Sequence, residues 1–309
     1  MIPASFEYIR ADSVSAAIEF LVKNPDAKLV AGGHSLLPML KLRLAQPSLL
    51  IDISRVAEMK GIEVTGSIRL GALCTHRQIL ASDTLNDILP VLRATADLIA
   101  DPLVRNRGTI GGALANADPS ADWPAVVIAL GGELELVGPR GSRRMLARDF
   151  FLGLMTTALA ADEILTAVHI PRPGPSDKSA YRKVRHPASG YAVVGVAARV
   201  AVDQGRITAA TIGITGAASA PFESLATGAY LVGQSVSSET IAQAASFAAR
   251  DVDYLADNYA SENYRRHLVM TETKRLLTGL FAETNHVPTE PPRPSGDDLS
   301  PRVSRDRLR

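Results

Sequence analysis

Two short glycine runs carry the most readable chemistry in this chain: Ala31-Gly32-Gly33-His34-Ser35 and Thr109-Ile110-Gly111-Gly112-Ala113. Glycine has no Cβ, so successive peptides can take positive φ and turn their N–H groups toward one point. Amides that converge in this way form a nest for an anion. Ser35 and Thr109 place a hydroxyl beside each run as a further donor. A diphosphate bridge is rich in acceptor oxygens, and two such loops from separate parts of the chain can grip it from both sides without a lysine. Paired glycines also serve ordinary turns, so a purely steric reading stands beside the binding one.

Other signatures narrow the field. No Gly-x-Gly-x-x-Gly follows a strand and no Gly-x-x-x-x-Gly-Lys-[Ser/Thr] occurs, which excludes the Rossmann and Walker modes of phosphate binding. The single cysteine, Cys74, excludes an internal disulfide and a cysteine-ligated iron–sulfur cluster held by this chain alone. The 6 histidines are scattered, which argues against a zinc site. With 33 Lys+Arg against 32 Asp+Glu, the 309-residue chain lacks the basic excess of a nucleic-acid binder. Its 46% hydrophobic and 21% charged residues match an ordinary globular protein and exclude disorder throughout. The length admits two or three domains. The opening MIPASFEYIR has neither the basic start nor the apolar run of a secretory leader. No apolar stretch approaches the roughly 18 residues of a membrane span. A cytoplasmic, non-transmembrane protein is expected.

The elements that must position the glycine runs follow from periodicity. Val14, Ala17, Ile18, Leu21 and Val22 recur at helical spacing, with Asp12 or Ser13 as N-cap and Asn24-Pro25 as the stop. A strand at 29–31 delivers the first run. A helix at 36–44 leaves it, with Ser35 as cap and Pro38 in the first turn. A strand at 48–53 follows, then strands at 62–64 and 68–72 and helices near 75–81 and 90–100. Residues 101–123 show little periodicity and read as a long functional loop around the second run. Pro124 opens an apolar helix that ends at Gly131-Gly132. A hairpin turns at 138–141, a strand spans 164–170, and 171–177 is a proline-rich linker. Strands near 180–183, 191–202 and 206–215 precede helices near 238–253 and 261–280. Cys74 and His76 read as structural groups at a buried strand-to-helix junction. The prolines and charges of 287–309 read as disorder.

The segments AGGHSLLPMLKLRLAQP (31–47) and TIGGALANADPSADWPA (109–125) resemble the two flavin-binding motifs in the medium subunit of molybdenum hydroxylases, the carbon monoxide dehydrogenase flavoprotein type in particular. The resemblance runs from the opening MIPASFEY to about residue 281 and takes in DEILTAVHIP (162–171). It implies an α+β fold: a vanillyl-alcohol-oxidase-like, PCMH-type FAD-binding domain in two subdomains (1–53 and 54–173). A C-terminal domain (178–285) with a three-stranded antiparallel sheet and a helical bundle would follow, then a disordered tail (286–309).

The same resemblance assigns residues. Ala31, Gly32, Gly33, His34, Ser35 and Leu36, with Thr109, Ile110, Gly111, Gly112 and Ala113, would wrap the pyrophosphate and ribityl chain of FAD. His34 would contribute through its backbone amide, or serve only as a satisfied loop histidine. Asp122 matches an acidic residue that accepts ribityl or ribose hydroxyls; a helix cap before Pro124 is the alternative. Leu165 matches an apolar flavin contact, or is a core leucine. Lys183 matches a cation beside the isoalloxazine, and Tyr191 an aromatic covering one ring face or a strand-surface aromatic. Gly190 and His186-Pro187 depart from the family pattern, which bears on the ring environment and the acceptor. The implied function is electron transfer. Molybdopterin would sit on a large partner and [2Fe–2S] clusters on a small one, in a dimer of heterotrimers, with no general acid, base or nucleophile on this chain. A stand-alone FAD-dependent oxidoreductase of the same fold and a redox-silent nucleotide scaffold are the alternatives.

Overall fold

A parallel sheet opens the chain. Strand β1 (Glu7–Arg10) leads to helix α1 (Val14–Lys23), β2 (Lys28–Val30), α2 (Leu36–Lys41) and β3 (Leu49–Asp52), with strand order β1-β3-β2. Ser13 caps α1 by accepting the Ala16 amide at 3.1 Å, and Ala17, Ile18 and Leu21 face the core. Ser35 precedes α2 in αR geometry and makes no side-chain cap, contrary to the expectation from sequence. The computed structural model describes residues 2–282, so the tail expected from residue 286 lies outside the described residues.

The next part alternates sheet and helices. It runs β4 (Ile62–Val64), β5 (Ser67–Gly71), α3 (His76–Leu80), α4 (Asp83–Ile88), α5 (Pro90–Asp97), α6 (Pro102–Arg107), α7 (Ile110–Asn116) and α8 (Asp122–Ala129). Then come β6 (Glu133–Gly138), β7 (Gly141–Leu146), the short pair β8 (Phe151–Gly153) and β9 (Thr156–Thr157), and β10 (Ile164–Pro171). The antiparallel sheet has the order β4-β5-β10-β6-β7. The stretch 101–123, read from sequence as loop, instead holds α6 and α7. Each is under two turns, too short for an apolar period to register. Their caps were the legible signal: Asp101 accepts the Val104 amide at 2.9 Å and Thr109 that of Gly112 at 3.1 Å. Helix α8 is buried on every side because it lies between the first core and the sheet that follows.

That following sheet comprises β11 (Asp177–Arg185), β12 (Ala192–Asp203), β13 (Arg206–Thr215) and β14 (Phe222–Glu223), in that order. It has four strands rather than the three expected, because a two-residue strand shows no alternation. Helices α9 (Leu225–Leu231), α10 (Ser238–Ala248) and α11 (Glu262–Ala282) follow, the first of them unforeseen and the second ending earlier than expected. Val194, Val196, Ile212 and Ile214 build a second core with Val269, Leu276 and Leu277 of α11.

The two halves meet along α8. Thr215 Oγ1 donates to the carbonyls of Pro119 (2.7 Å) and Ala121 (2.8 Å), and the Ala192 amide donates to Ser120 at 3.1 Å. At Gly213 a Cβ would stand 2.1 Å from the Ala125 carbonyl oxygen, so only glycine lets β13 lie flush on α8. Gly213→Ala should therefore destabilise the protein by about 1–3 kcal/mol through overpacking. Gly66→Ala, where a Cβ meets nothing within 4 Å, should change the denaturant midpoint little; equal midpoints for the two variants would contradict the packing.

Candidate functional site

Between the halves lies a cavity of about 990 Å³, bordered by residues 31–36, by Gly108 and Thr109, by Asp122, and by Lys183 and Tyr191. That volume sits near the top of the range of about 300–1,000 Å³ usual for small-molecule sites. All the site residues named from sequence line it except Ile110, whose side chain is fully buried in the first core.

The glycines work differently from the sequence expectation. Of the four, only Gly33 has positive φ, at 80°. Gly32 is glycine because a Cβ there would stand 2.0 Å from the Arg107 carbonyl oxygen, and Gly111 because a Cβ would stand 2.4 Å from Ala72 Cβ. Close backbone approach, not left-handed geometry, is what these positions require. The two runs also differ as donors. The amides of Gly32, Gly33, His34, Ser35 and Leu36 donate to no described residue. In the second run the Ile110 amide donates to Cys74 O (3.0 Å), Gly111 to Ala72 O (2.9 Å) and Ala113 to Thr109 O (3.0 Å). Gly112 donates to Thr109 Oγ1. Only the amide and hydroxyl hydrogen of Thr109 remain for a ligand. The open nest is thus the first loop alone. Partly buried amides without an acceptor are costly, so this face is suited to an anion.

Asp122 anchors the opposite wall. It is not the cap of α8, whose N-cap is Ala121. Its Oδ1 accepts the Tyr181 hydroxyl at 2.6 Å and its Oδ2 accepts Lys183 Nζ at 2.8 Å, all three groups being buried. Lys183 Nζ also donates to Leu98 O at 3.3 Å, where Arg185 Nη2 joins at 3.0 Å. Burial raises the Asp122 carboxyl and lowers the Lys183 ammonium, and their mutual attraction opposes both shifts. Burial first, then the Asp122 charge, pushes the Tyr181 phenol well up, so it remains a donor. A carboxylate has spare lone pairs beyond these two bonds.

Tyr191 follows the turn that Gly190 makes at φ 74° and is 43% exposed. Desolvation raises its phenol, the Asp118 and Asp122 charges add, and the Ser35 side chain opposes, which sets the ring beside the first glycine loop. Leu165 satisfies both sequence readings: it is 4% exposed in strand β10 and also borders the cavity.

His76, a structural group by its sequence context, also lines the cavity. Its Nδ1 accepts the indole N–H of Trp123 at 3.0 Å. Burial, with the charges of His34 and Arg105 adding, pushes its pKa down to about 4. Nothing local in the sequence pairs two residues 47 positions apart. Among the described residues no group of three His, Cys, Asp or Glu is placed to hold a metal, and no helix is long and apolar enough to cross a membrane.

Residues 4–173 match the FAD binding domain in molybdopterin dehydrogenase, and residues 179–280 match the CO dehydrogenase flavoprotein C-terminal domain. The chain belongs to the molybdopterin dehydrogenase flavoprotein family. It is 37% identical over 279 residues to the carbon monoxide dehydrogenase medium chain of Afipia carboxidovorans, covering 90% of this chain and 97% of that one. It is 35% identical to the nicotine 6-hydroxylase medium subunit of Paenarthrobacter nicotinovorans, covering 91% and 99%. The carbon monoxide dehydrogenase structure from Hydrogenophaga pseudoflava superposes with a TM-score of 0.89 at 37% identity, covering 91% and 99%. Like other members of this flavoprotein family, the chain carries an FAD-binding domain followed by the flavoprotein C-terminal domain, in a mixed helix-and-sheet fold.

Two outcomes test the wall of the cleft. Lys183→Met leaves Asp122 buried beside Tyr181 alone and should cost about 3–5 kcal/mol in denaturant unfolding; adding Asp122→Asn should recover much of the loss. His76 stays neutral in the fold down to about pH 4, whereas an unfolded histidine gains its proton below about 6.5. The unfolded chain then binds more protons between those values, so stability falls as pH drops through the window, by about 3 kcal/mol from this group. The acid-side decline in His76→Asn should be shallower by that amount.

Proposed function

We propose that this chain is the FAD-carrying electron-transfer subunit of a molybdenum hydroxylase, passing electrons from [2Fe–2S] clusters of a small partner to an external acceptor. The observation that carries the reading is the run of uncommitted amides from Gly32 to Leu36 on the rim of a cavity large enough for a cofactor. A donor-only loop suits the pyrophosphate of FAD. Thr109 adds its amide and hydroxyl from across the cleft. Asp122, already oriented by Tyr181 and Lys183, is suited to accept ribityl or ribose hydroxyls. Leu165 and Tyr191 offer apolar and aromatic surface for the isoalloxazine, with Lys183 a cation of the same cavity. The PCMH-type description of the FAD-binding part, with a division near residue 53 and another near 173, accompanies this reading.

FAD, when bound, supplies the redox chemistry. The chain's residues bind it, orient it and exclude water; none is placed as a general acid, base or nucleophile. The large partner would hold molybdopterin, and the complex would be a dimer of heterotrimers. The single cysteine fits this division of labour, since this chain alone cannot ligate a cluster with thiolates. Relatives named for carbon monoxide and for nicotine are about equally similar, at 37% and 35% identity, which supports a reading in which another subunit binds the hydroxylated substrate. The stand-alone oxidoreductase is not favoured, because these relatives are medium chains or subunits of larger enzymes.

The purified full chain should show a flavin absorbance spectrum and release FAD on denaturation. Under anaerobic conditions its flavin should bleach with substrate only after both partner subunits are added. A colourless protein that takes up no FAD, or full bleaching of the isolated chain by NADH, would sink the reading.

A further inference from the structure

The second glycine run commits most of its amides to the protein itself, so the far side of the cradle is short of donors. The structure places one more there. Trp123 Nε1 is a donor only, and it points at His76 Nδ1 from 3.0 Å. Nδ1 must therefore be the acceptor, which an imidazolium cannot supply. The ring is neutral and its proton sits on Nε2. That N–H has no acceptor among the described residues, although the whole residue is only 5% exposed. The nitrogen is not fully enclosed, and the residue lines the cavity.

Gly108 packs against this nitrogen without covering it with a side chain. A Cβ at this position would stand 2.7 Å from His76 Nε2. The same glycine is where the two loops touch, since a Cβ on Gly32 would come within 3.1 Å of Gly108 Cα. The Nε2 edge of His76 thus lies beside Gly108, where the first loop meets the second. Residues 32–36, Thr109 and His76 all line the same cavity.

We propose that His76 is a cofactor-binding residue of this cleft: its Nε2–H, fixed by Trp123, donates to a pyrophosphate oxygen of FAD through the gap left by Gly108. The proposal rests on the reading of the cleft as the FAD site and adds a donor outside both glycine runs. A neutral donor suits the place. It holds the phosphate without the pull of a full charge, and its tautomer does not change with pH above the acid range. The role is binding, with no proton transferred.

The test uses the full chain, freed of flavin, and measures affinity for FAD and for riboflavin, which lacks the phosphates. His76→Asn keeps an acceptor for Trp123 near the place of Nδ1 and removes the donor at Nε2. It should weaken FAD binding about ten- to a hundredfold, the loss typical of a hydrogen bond to a charged group, and leave riboflavin binding within a fewfold of wild type. His76→Gln, whose amide nitrogen reaches the place of Nε2, should restore most of the FAD affinity. Gly108→Ala should weaken FAD binding alone but add little in the His76→Asn background.

A second readout needs no variant. In protein labelled with 15N at histidine, the His76 signals should report the Nε2–H tautomer with and without FAD, and the Nε2 proton should move downfield when FAD binds. Unchanged FAD affinity in His76→Asn, an equal loss for riboflavin, or an unmoved Nε2 proton would each overturn the proposal while leaving the FAD site standing. Failure of the wild-type chain to take up FAD at all would remove the site itself, and this residue's role with it.

Discussion

The cleft depends on one backbone contact. Gly32 lies so close to the Arg107 carbonyl that a Cβ would stand 2.0 Å from the oxygen. That approach presses the first glycine loop against the end of α6 and so against the start of the second run. Parallel strand β2 fixes one side of the contact and the capped helices α6 and α7 fix the other. Any side chain at position 32 would push the two apart, and the donors of residues 32–36 would no longer face Thr109 and His76 across one cavity. The constraint is steric and short-ranged. Its consequence is electrostatic: a concentrated set of N–H groups with no acceptor among the described residues.

The opposite wall couples that cradle to the union of the two halves. Asp122 belongs to α8 of the first half, while Tyr181 and Lys183 belong to β11 of the second, and the three are joined at 2.6 and 2.8 Å. Buried ion pairs contribute little net stability against an apolar replacement, but breaking one leaves an uncompensated charge. This joint therefore favours a single docking of the halves rather than a stronger one. Since the same carboxylate borders the cavity, the geometry of the site and the geometry of the interface are set together. The packing of the halves and the shape of the cleft are one problem in this protein.

His76 shows how a buried polar group can serve both needs. Its Nδ1 satisfies the indole of Trp123, the largest fully buried side chain, and so belongs to the core. Its other nitrogen opens on the cleft. The neutral state that burial enforces is what makes the first bond possible and what orients the second. A lysine in its place would bring charge without a fixed direction, and burial would work against that charge.

Much of this was legible without coordinates. The long elements were clear from period and punctuation: α1 with Ser13, the hairpin around Gly138 to Gly141, the paired strands β12 and β13, and α11. The glycine runs and the residues around them pointed to a dinucleotide because their order and neighbours are distinctive. Less was legible where elements are short. α6, α7 and β14 span too few residues for periodicity to register. The sequence could say that glycine was needed at 32 and 111 but not why, because a close approach and a positive φ call for the same residue. Only the tertiary structure decided that close approach governs both, that the amides of 32–36 have no acceptor among the described residues while those of 110–113 are committed, and that Trp123 fixes the tautomer of His76. Hydrogen-bond commitment and steric clearance depend on residues far apart in the chain, and local pattern carries no record of them.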